Sequence, residues 1–279
     1  MRRLLIALAT AALVLPSPVS GTWSIIAIDR ATGRIVISSA TCAATRPNQL
    51  KQLQAIVLPG VGVAAAQAGV DRTHENQKLI YAELQRGTAP DAIIGMLQAD
   101  TLIERRQFGI IDMQGRTAGF SGSGNGSVSM DLQGESDDGI IWAVQGNIIA
   151  TEQALTAAAT IMQHSDESIV DRVMLAMEVA DARGGDVRCT CSRAPLPEMA
   201  PCNGKTAHVS YLLAADPDDA LGAFAMNHPE DMASPYNDGD YHLYLMVVPT
   251  NTTPEEDANP VRTLRMRYDA WKESLGAPD

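Results

Sequence analysis

The sequence has 279 residues, a formal net charge of −12 and a hydrophobic content of 46%. The acidic excess excludes nucleic acid and anionic membrane surfaces as partners, because both are bound through basic surfaces. The length and the hydrophobic content are enough for one sizeable buried core, and no repeat, low-complexity tract or linker rich in proline and serine divides the chain.

The first 21 residues are typical of an export signal. Arg2 and Arg3 precede an apolar stretch, Leu4–Leu15, and a proline followed by small residues ends the segment. The stretch is shorter than the roughly 20 residues that a membrane-spanning helix needs, and nothing later in the sequence resembles a span. The sequence therefore predicts a signal peptide at residues 1–21 and a single domain at residues 22–279 of a secreted or periplasmic protein.

The expected cleavage site lies directly before a threonine. Cleavage after Gly21 places Val19 and Gly21 at the positions where the export peptidase needs small residues, and the mature chain then begins at Thr22. A threonine at position one carries its own base, because its α-amine, with an ordinary pKa of about 8, lies within reach of its hydroxyl. If cleavage falls after Ser20 instead, Gly21 blocks the amine and Thr22 is only the first residue of a strand.

The order of strands and helices follows from periodicity and turn residues. β-Branched and apolar runs between turn sequences predict strands, and apolar residues repeating every three to four positions predict helices. The predicted strands cover residues 23–28, 34–39, a stretch within 56–68, 107–112, 116–121, 139–145, 208–214 and 241–248. The predicted helices cover residues 73–85, a segment that begins near Thr88, 151–163, 167–183 and 260–274. This order suits helices packed outside two stacked sheets.

Four cysteines in an exported protein suggest disulfides. Cys189, Cys191 and Cys202 are close together in the sequence, and Cys42 stands apart. A bond between Cys189 and Cys191 would be strained. The expected pairs therefore join Cys202 to either Cys189 or Cys191, and the remaining cysteine of these two to Cys42. A structural zinc site is disfavoured, because the spacing lacks two pairs of neighbouring ligands.

Two polar segments are candidates for a site around Thr22. Asp29 ends the first predicted strand, where its carboxylate could orient the terminal ammonium or the hydroxyl, although this segment also reads as an ordinary turn. Gln145 and Asn147 end another predicted strand, where side-chain amides and backbone N–H groups can stabilise a tetrahedral oxyanion. The alternative for this second segment is a simple turn at the end of the strand.

A positive charge near the nucleophile would have to come from an arginine. The nearest lysine that follows is Lys51, so Arg30, Arg34 or Arg188 would supply the field. Arg188 follows two glycines that end a predicted helix, and it could bind a substrate carboxylate while Asp186 holds it in place. The alternative for this pair is a helix cap followed by a surface ion pair of little energetic weight.

The sequence predicts neither a metal site nor a cofactor. The five histidines show no metal-ligand spacing, and the stretch of serines and glycines at residues 121–127 lacks the lysine ending of a phosphate loop. The expected partner is a small amide substrate. The sequence leaves open whether the chain forms a homo-oligomer.

Together, these pieces resemble a bacterial family known as domain of unknown function 1028, which is grouped with the N-terminal-nucleophile hydrolases. The resemblance rests on Thr22–Ile25 with Asp29, Gly60–Gly62 with Gln67 and Ala68, Gln107–Asp112, Gly115 and Arg116, Phe120–Gly122, Val144–Asn147, and Gly184–Asp186 with Arg188. It implies an α+β fold, a four-layer αββα sandwich of two mainly antiparallel sheets with outer helices. It also implies hydrolysis of a small amide, with Thr22 as nucleophile and Gln67, Asp186 and Arg188 near the substrate, but it names no substrate.

This chain departs from the family pattern at a cysteine-rich insert, residues 189–204. Because the insert could cover or reshape the cleft, a substrate preference cannot be transferred from the family. Together with the missing lysine, the insert favours a second hypothesis from another class. In that hypothesis the chain is a binding protein of the cell envelope that has the same fold and no catalytic activity.

Overall fold

The computed structural model describes residues 21–43, 46–69, 71–189, 205–221 and 236–276. Its strands are β1 (Thr22–Asp29), β2 (Ile35–Thr41), β3 (Ala55–Leu58), β4 (Gly62–Ala68), β5 (Arg106–Asp112), β6 (Thr117–Ser121), β7 (Met130–Glu135), β8 (Ile140–Asn147), β9 (Val209–Ala215) and β10 (Leu243–Val247). Its helices are α1 (Gln49–Gln54), α2 (Glu75–Gln85), α3 (Pro90–Leu97), α4 (Glu152–His164), α5 (Ile169–Asp181) and α6 (Pro260–Gly276).

The strands form two antiparallel sheets. The six-stranded sheet has the order β10-β9-β2-β1-β8-β7, and the four-stranded sheet has the order β3-β4-β5-β6. β1 lies at the centre of the larger sheet, between its hairpin partner β2 and β8. The predicted α+β class and the two sheets are therefore present. Among the described residues, no helix combines the length and the apolar character that crossing a bilayer requires.

Both faces of β1 are buried, which explains its continuous apolar sequence. Trp23 and Ile25 point into an apolar cluster that includes residues of α4, α5 and α6, whereas Ile26 and Ile28 point into a cluster between the two sheets. Alternate residues of a strand lie on opposite faces, so Thr22 shares the inner face with Ile26 and Ile28. A third cluster joins the four-stranded sheet to α2 and α3.

The stretch within 56–68 was predicted as one strand and is instead the hairpin β3–β4. The amide of Val61 donates to the carbonyl of Leu58 at 2.9 Å, which closes a turn whose central residues are Pro59 and Gly60. Gly60 has a φ of 70°, as the third position of a type II turn requires. Pro-Gly at the centre of an apolar run is a turn signal, and the prediction overlooked it.

Two further elements, α1 and β7, were not predicted. α1 is a short helix of six residues, too short to show apolar periodicity. Every residue of β7 is partly or fully accessible to solvent, so β7 lacks the apolar run that identified the other strands. It lies at the edge of the six-stranded sheet.

One ion pair of the fold gives a pH-dependent contribution to stability. The guanidinium of Arg172 in α5 is fully buried and binds both carboxylate oxygens of Asp138, at 3.1 and 2.6 Å. This contact, with a hydrogen bond from Ser136, lowers the pKa of Asp138 to about 2. Because the folded-state pKa is lowered, the contribution is present above pH ~4, the ordinary pKa of an aspartate, and is lost as the pH falls toward 2.

We therefore expect Asp138→Asn to lower the melting temperature at pH 6, because the buried Arg172 loses its counter-charge. The same variant should narrow the difference in melting temperature between pH 5 and pH 2.5 relative to the wild type. Calorimetry across this pH range measures both quantities. If the melting temperature of the variant depends on pH as steeply as that of the wild type, the pH dependence does not come from Asp138.

Candidate active site

The space between the two sheets is apolar at one end and polar at the other. The polar end is lined from both sheets and from α1, and its side chains expose 6% of their surface or less. We call these residues the inter-sheet polar layer: Thr22, Ser24, Ser39, Thr41, Gln54, Gln67, Gln107, Gln145 and Asn147. Buried polar groups are costly unless they are hydrogen-bonded, and most of these side chains are bonded to one another or to the backbone.

Gln67 is the central residue of this layer. Its Oε1 accepts hydrogen bonds from Ser24 Oγ and from Gln54 Nε2, both at 2.7 Å. Its Nε2 donates to Gln107 Oε1 at 2.6 Å and to the backbone carbonyl of Thr22 at 3.2 Å. The amide of Gln67 is therefore fixed from two sides, and it holds the backbone of Thr22 across the gap between the sheets.

The hydrogen-bonded side-chain amides of Gln67 and Gln54 lead to Tyr211, whose hydroxyl stays protonated. The hydroxyl of Tyr211 donates to Gln54 Oε1 at 2.8 Å. Complete burial raises the pKa of Tyr211 well above its ordinary value of 10, because a buried phenolate would lose its solvation. The hydroxyl thus remains a donor at neutral pH and fixes the orientation of the Gln54 amide.

The Thr22 side chain is buried and faces Thr41. Its hydroxyl is 3.3 Å from Thr41 Oγ1, because Thr22 and Thr41 are partners in the β1–β2 register. Thr41 Oγ1 in turn donates to the carbonyl of Gly21 at 2.5 Å. Thr41 Oγ1 therefore contacts both the Thr22 hydroxyl and the carbonyl oxygen of Gly21.

Arg188 and Asp186 lie at the same position. Arg188 Nη2 donates to the carbonyl of Gly21 at 2.5 Å and approaches Thr41 Oγ1 at 3.3 Å. Arg188 Nε donates to Asp186 Oδ1 at 2.9 Å, and the Asp186 side chain is fully buried. The Gly21 oxygen thus receives one charged donor and one neutral donor.

A disulfide between Cys42 and Cys189 anchors the Asp186–Arg188 segment to the end of β2. This bond is one of the pairs that the sequence left open. The backbone amide of Cys42 also donates to Asp186 Oδ2 at 2.8 Å. The other two cysteines, Cys191 and Cys202, lie outside the described residues, as does the insert beyond Cys189.

Asn147 lies beside Thr22 on the neighbouring strand, and Gln145 lies two residue pairs further along the sheet, on the same face. In the β1–β8 register, Asn147 lies opposite Thr22 and Gln145 lies opposite Ser24. Gln145 Nε2 donates to the carbonyl of Ala65 at 3.3 Å. Its Oε1 is buried, and the described part of the chain provides no hydrogen-bond partner for it. Gln145 therefore packs against the facing sheet, whereas Asn147 is the amide that borders Thr22.

Asp29 lies at the wrong end of β1 to act on Thr22. Seven residues of extended chain separate the two, a distance of roughly 23 Å. The Asp29 carboxylate accepts from the amide of Ala31 at 2.9 Å and from Thr32 Oγ1 at 2.7 Å. It stabilises the hairpin turn, which was the alternative considered for this segment.

Three other cationic side chains, Arg30, Arg34 and Lys51, form ion pairs with acidic residues. Arg30 pairs with Glu135, and Arg34 pairs with Asp216. Lys51 pairs with Asp238 at 2.9 Å. Of the arginines named from the sequence, Arg188 is the one beside Thr22. Within the described residues, no group of three or more potential metal ligands occurs.

The model of the family of unknown function DUF1028 matches residues 22–196, more than half of the chain. The chain belongs to this family. Its fold is similar to the crystal structure of another DUF1028 protein, SPO2555 from Silicibacter pomeroyi, with a TM-score of 0.63 and 18% identity. The similarity covers 90% of this chain and 89% of that one, and at this identity it shows the fold alone. No curated protein sequence matches the chain.

In this DUF1028 chain, three residues near the polar layer adopt a backbone conformation that side chains disfavour. Ala68, next to Gln67, has a φ of 73°, and Ile148, next to Asn147, has a φ of 56°. Val128, whose carbonyl accepts from Ile149, has a φ of 47°. Such residues cost of order 1–3 kcal/mol each and cluster at functional sites. None of the three is a glycine or an asparagine, so no residue type indicated this conformation in advance.

Thr41 and Gln54 were not identified from the sequence. The predicted turn at residues 29–33 pairs Ile28 with Arg34 and so places Ala40 opposite Thr22, whereas the observed hairpin pairs Ile28 with Ile35 and Thr22 with Thr41. The position of Gln54 depends on α1, which was not predicted. Thr41 contacts Thr22 directly, and Gln54 contacts Gln67, which holds the Thr22 carbonyl.

Proposed function

We propose that this chain is an exported amidohydrolase of the N-terminal-nucleophile type. In this proposal, export removes residues 1–21 and frees Thr22, whose hydroxyl attacks a small amide. The helices on the outer face of each sheet support the four-layer αββα sandwich of that class. The disulfide between Cys42 and Cys189 is consistent with an oxidising compartment outside the cytoplasm.

The observation that carries the proposal is the environment of the Gly21 carbonyl. This acyl group is attached to Thr22, and its oxygen accepts from Arg188 Nη2 and Thr41 Oγ1, each at 2.5 Å. Hydrogen-bond donors held around an acyl oxygen are what an amidase needs to stabilise a developing oxyanion. When Gly21 is removed, the same two donors face the place where a substrate carbonyl would lie.

The reaction follows from these groups. The proton of the Thr22 hydroxyl passes to the free α-amine while Oγ1 forms a bond to the substrate carbonyl carbon. The oxygen of that carbonyl becomes an anion and is stabilised by Arg188 and Thr41. The ammonium of Thr22 then protonates the leaving nitrogen, the C–N bond breaks and an ester remains on Oγ1. Water, deprotonated by the same amine, attacks the ester carbonyl. The ammonium returns this proton to Thr22 Oγ1 as the C–O bond breaks, which releases the acid and restores the free threonine.

Three further observations support the proposal. Gln67 holds the Thr22 carbonyl and so fixes the first residue of β1 in place. Backbone strain at Ala68 and Ile148 lies next to Gln67 and Asn147. The family match begins at residue 22, the position that would open the mature chain.

The second candidate is a binding protein without catalytic activity. It is favoured by the engagement of Lys51 with Asp238, which leaves Thr22 without the lysine that activates some N-terminal threonines. The two candidates differ in the chemistry of Thr22. A binding protein has no need for a reactive hydroxyl there.

An electrophilic trap separates them. The mature protein is incubated with a β-lactone, and intact mass followed by peptide mapping locates the adduct. We expect one adduct, on Thr22, and none in Thr22→Ala under the same conditions. Labelling that is absent or spread over surface nucleophiles would contradict the amidase and favour the binding protein.

A further inference from the structure

Gly21 shows what kind of acyl group fits beside Thr22. A Cβ atom added at Gly21 would lie 2.8 Å from Asp186 Oδ1, 3.0 Å from Asp186 Cγ and 3.0 Å from Arg188 Nε. Carbon atoms do not approach other heavy atoms this closely without a displacement. The α-carbon of an acyl group in this position therefore has no room for a side chain on the face toward Asp186.

Hydrogen bonds hold the crowding atoms of Asp186 in place. Asp186 Oδ1 accepts from the backbone amide of Arg188 at 3.0 Å and from its Nε at 2.9 Å. Asp186 Oδ2 accepts from the backbone amide of Cys42 at 2.8 Å. The backbone amide of Asp186 donates to the carbonyl of Thr206 at 3.1 Å. Because the carboxylate is buried and held by several hydrogen bonds, a shift of its position would break favourable contacts.

The acyl oxygen fixes the position of the α-carbon. Arg188 and Thr41 hold the oxygen of Gly21, and a substrate that uses the same two donors places its own α-carbon against Asp186. We propose that Asp186 selects acyl groups whose α-carbon carries no side chain, which are glycyl groups and linear acyl chains. This inference rests on the proposed role of Thr22 as nucleophile, and it names the class of amide that Thr22 would cleave.

Activated esters test the inference independently of the leaving group. The mature protein is mixed with the p-nitrophenyl ester of N-acetylglycine or of N-acetyl-L-alanine, and release of p-nitrophenolate gives the rate. Peptide mapping assigns the acylation to Thr22. After division by the rate of uncatalysed hydrolysis, we expect the glycine ester to react at least about tenfold faster, within the range that one added methyl group can give.

Two variants assign the selection to the side chain of Asp186. Asp186→Asn has the same size, so the preference for the glycine ester should remain even if the rates fall. Asp186→Ala removes two of the three crowding atoms, Oδ1 and Cγ of Asp186, and leaves Arg188 Nε, so the ratio of the two rates should fall. The ratio is the readout because it is insensitive to a general loss of activity.

The outcomes distinguish this inference from the proposed function. Equal acylation of Thr22 by both esters in the wild-type protein would overturn the selection by Asp186 and leave the nucleophile intact. If neither ester acylates Thr22, both the selection by Asp186 and the role of Thr22 as nucleophile are overturned. A preference that persists unchanged in Asp186→Ala would assign the selection to another residue and overturn the inference.

Discussion

Replacing Thr22 by alanine should reduce the rate of amide hydrolysis by at least about 10³-fold, because the hydroxyl that forms the covalent intermediate is lost. The fold should survive the change. The Thr22 hydroxyl makes one hydrogen bond to Thr41 at 3.3 Å, so its removal should cost about 1 kcal/mol of unfolding free energy. Turnover and denaturant unfolding, measured on the same preparation, check the two effects separately.

Thr22→Ser is the matched control for this experiment. Serine keeps the hydroxyl and, after cleavage, the α-amine, so most of the activity should be retained. A Thr22→Ala protein that still hydrolyses the substrate at a comparable rate would show that the nucleophile lies elsewhere. A loss of activity in Thr22→Ser as large as in Thr22→Ala would show that the threonine has a structural role.

Replacing Arg188 by methionine should lower the rate of acylation about 10²–10³-fold, the typical effect of removing one oxyanion donor. The reason is the 2.5 Å contact between Arg188 Nη2 and the acyl oxygen in the uncleaved chain. Arg188→Lys should not restore the rate, because an ammonium cannot bind Asp186 through two nitrogens and reach the oxygen at the same time. Single-turnover kinetics with an activated ester measures this step.

The stability of Arg188→Met needs its own control. The variant leaves the buried carboxylate of Asp186 without its counter-charge. Breaking a fully buried pair costs about 3–5 kcal/mol, which is an upper bound for this pair because the Arg188 side chain is 23% exposed. The double variant Asp186→Asn with Arg188→Met removes the uncompensated charge and should recover part of that stability without recovering activity. If the double variant recovers both together, Arg188 acts through the fold and not on the acyl oxygen.

The central hairpin was predictable because its physical signals are local. Residues 23–28 and 34–39 are apolar and β-branched, and a turn sequence separates them, so the pairing of the two strands follows from the sequence. The observed register differs by one residue from the one that the predicted turn implies. The same local reasoning placed α4 and α5 close to their observed bounds. The hairpin β3–β4 was missed because the apolar run continues through its Pro-Gly turn.

The site was predictable only in part, because it depends on contacts between distant segments. The two glycines before Asp186 indicated the end of a helix, but nothing local showed that Arg188 would reach the Gly21 carbonyl from 167 positions away. Asp29 was a candidate beside the alternative of an ordinary turn, and the strand carries it away from Thr22 to that turn. Gln54 contacts Gln67 only because a short helix leads into β3.

The first residue of the mature protein decides whether the α-amine of Thr22 is free to act as a base. The chain is purified after export from a bacterial host, and N-terminal sequencing with intact mass identifies the first residue. We expect a chain that begins at Thr22 with an unmodified α-amine. A mature chain that begins at Gly21 or earlier would contradict this expectation, because the amine would then be an amide and the hydroxyl would have no base.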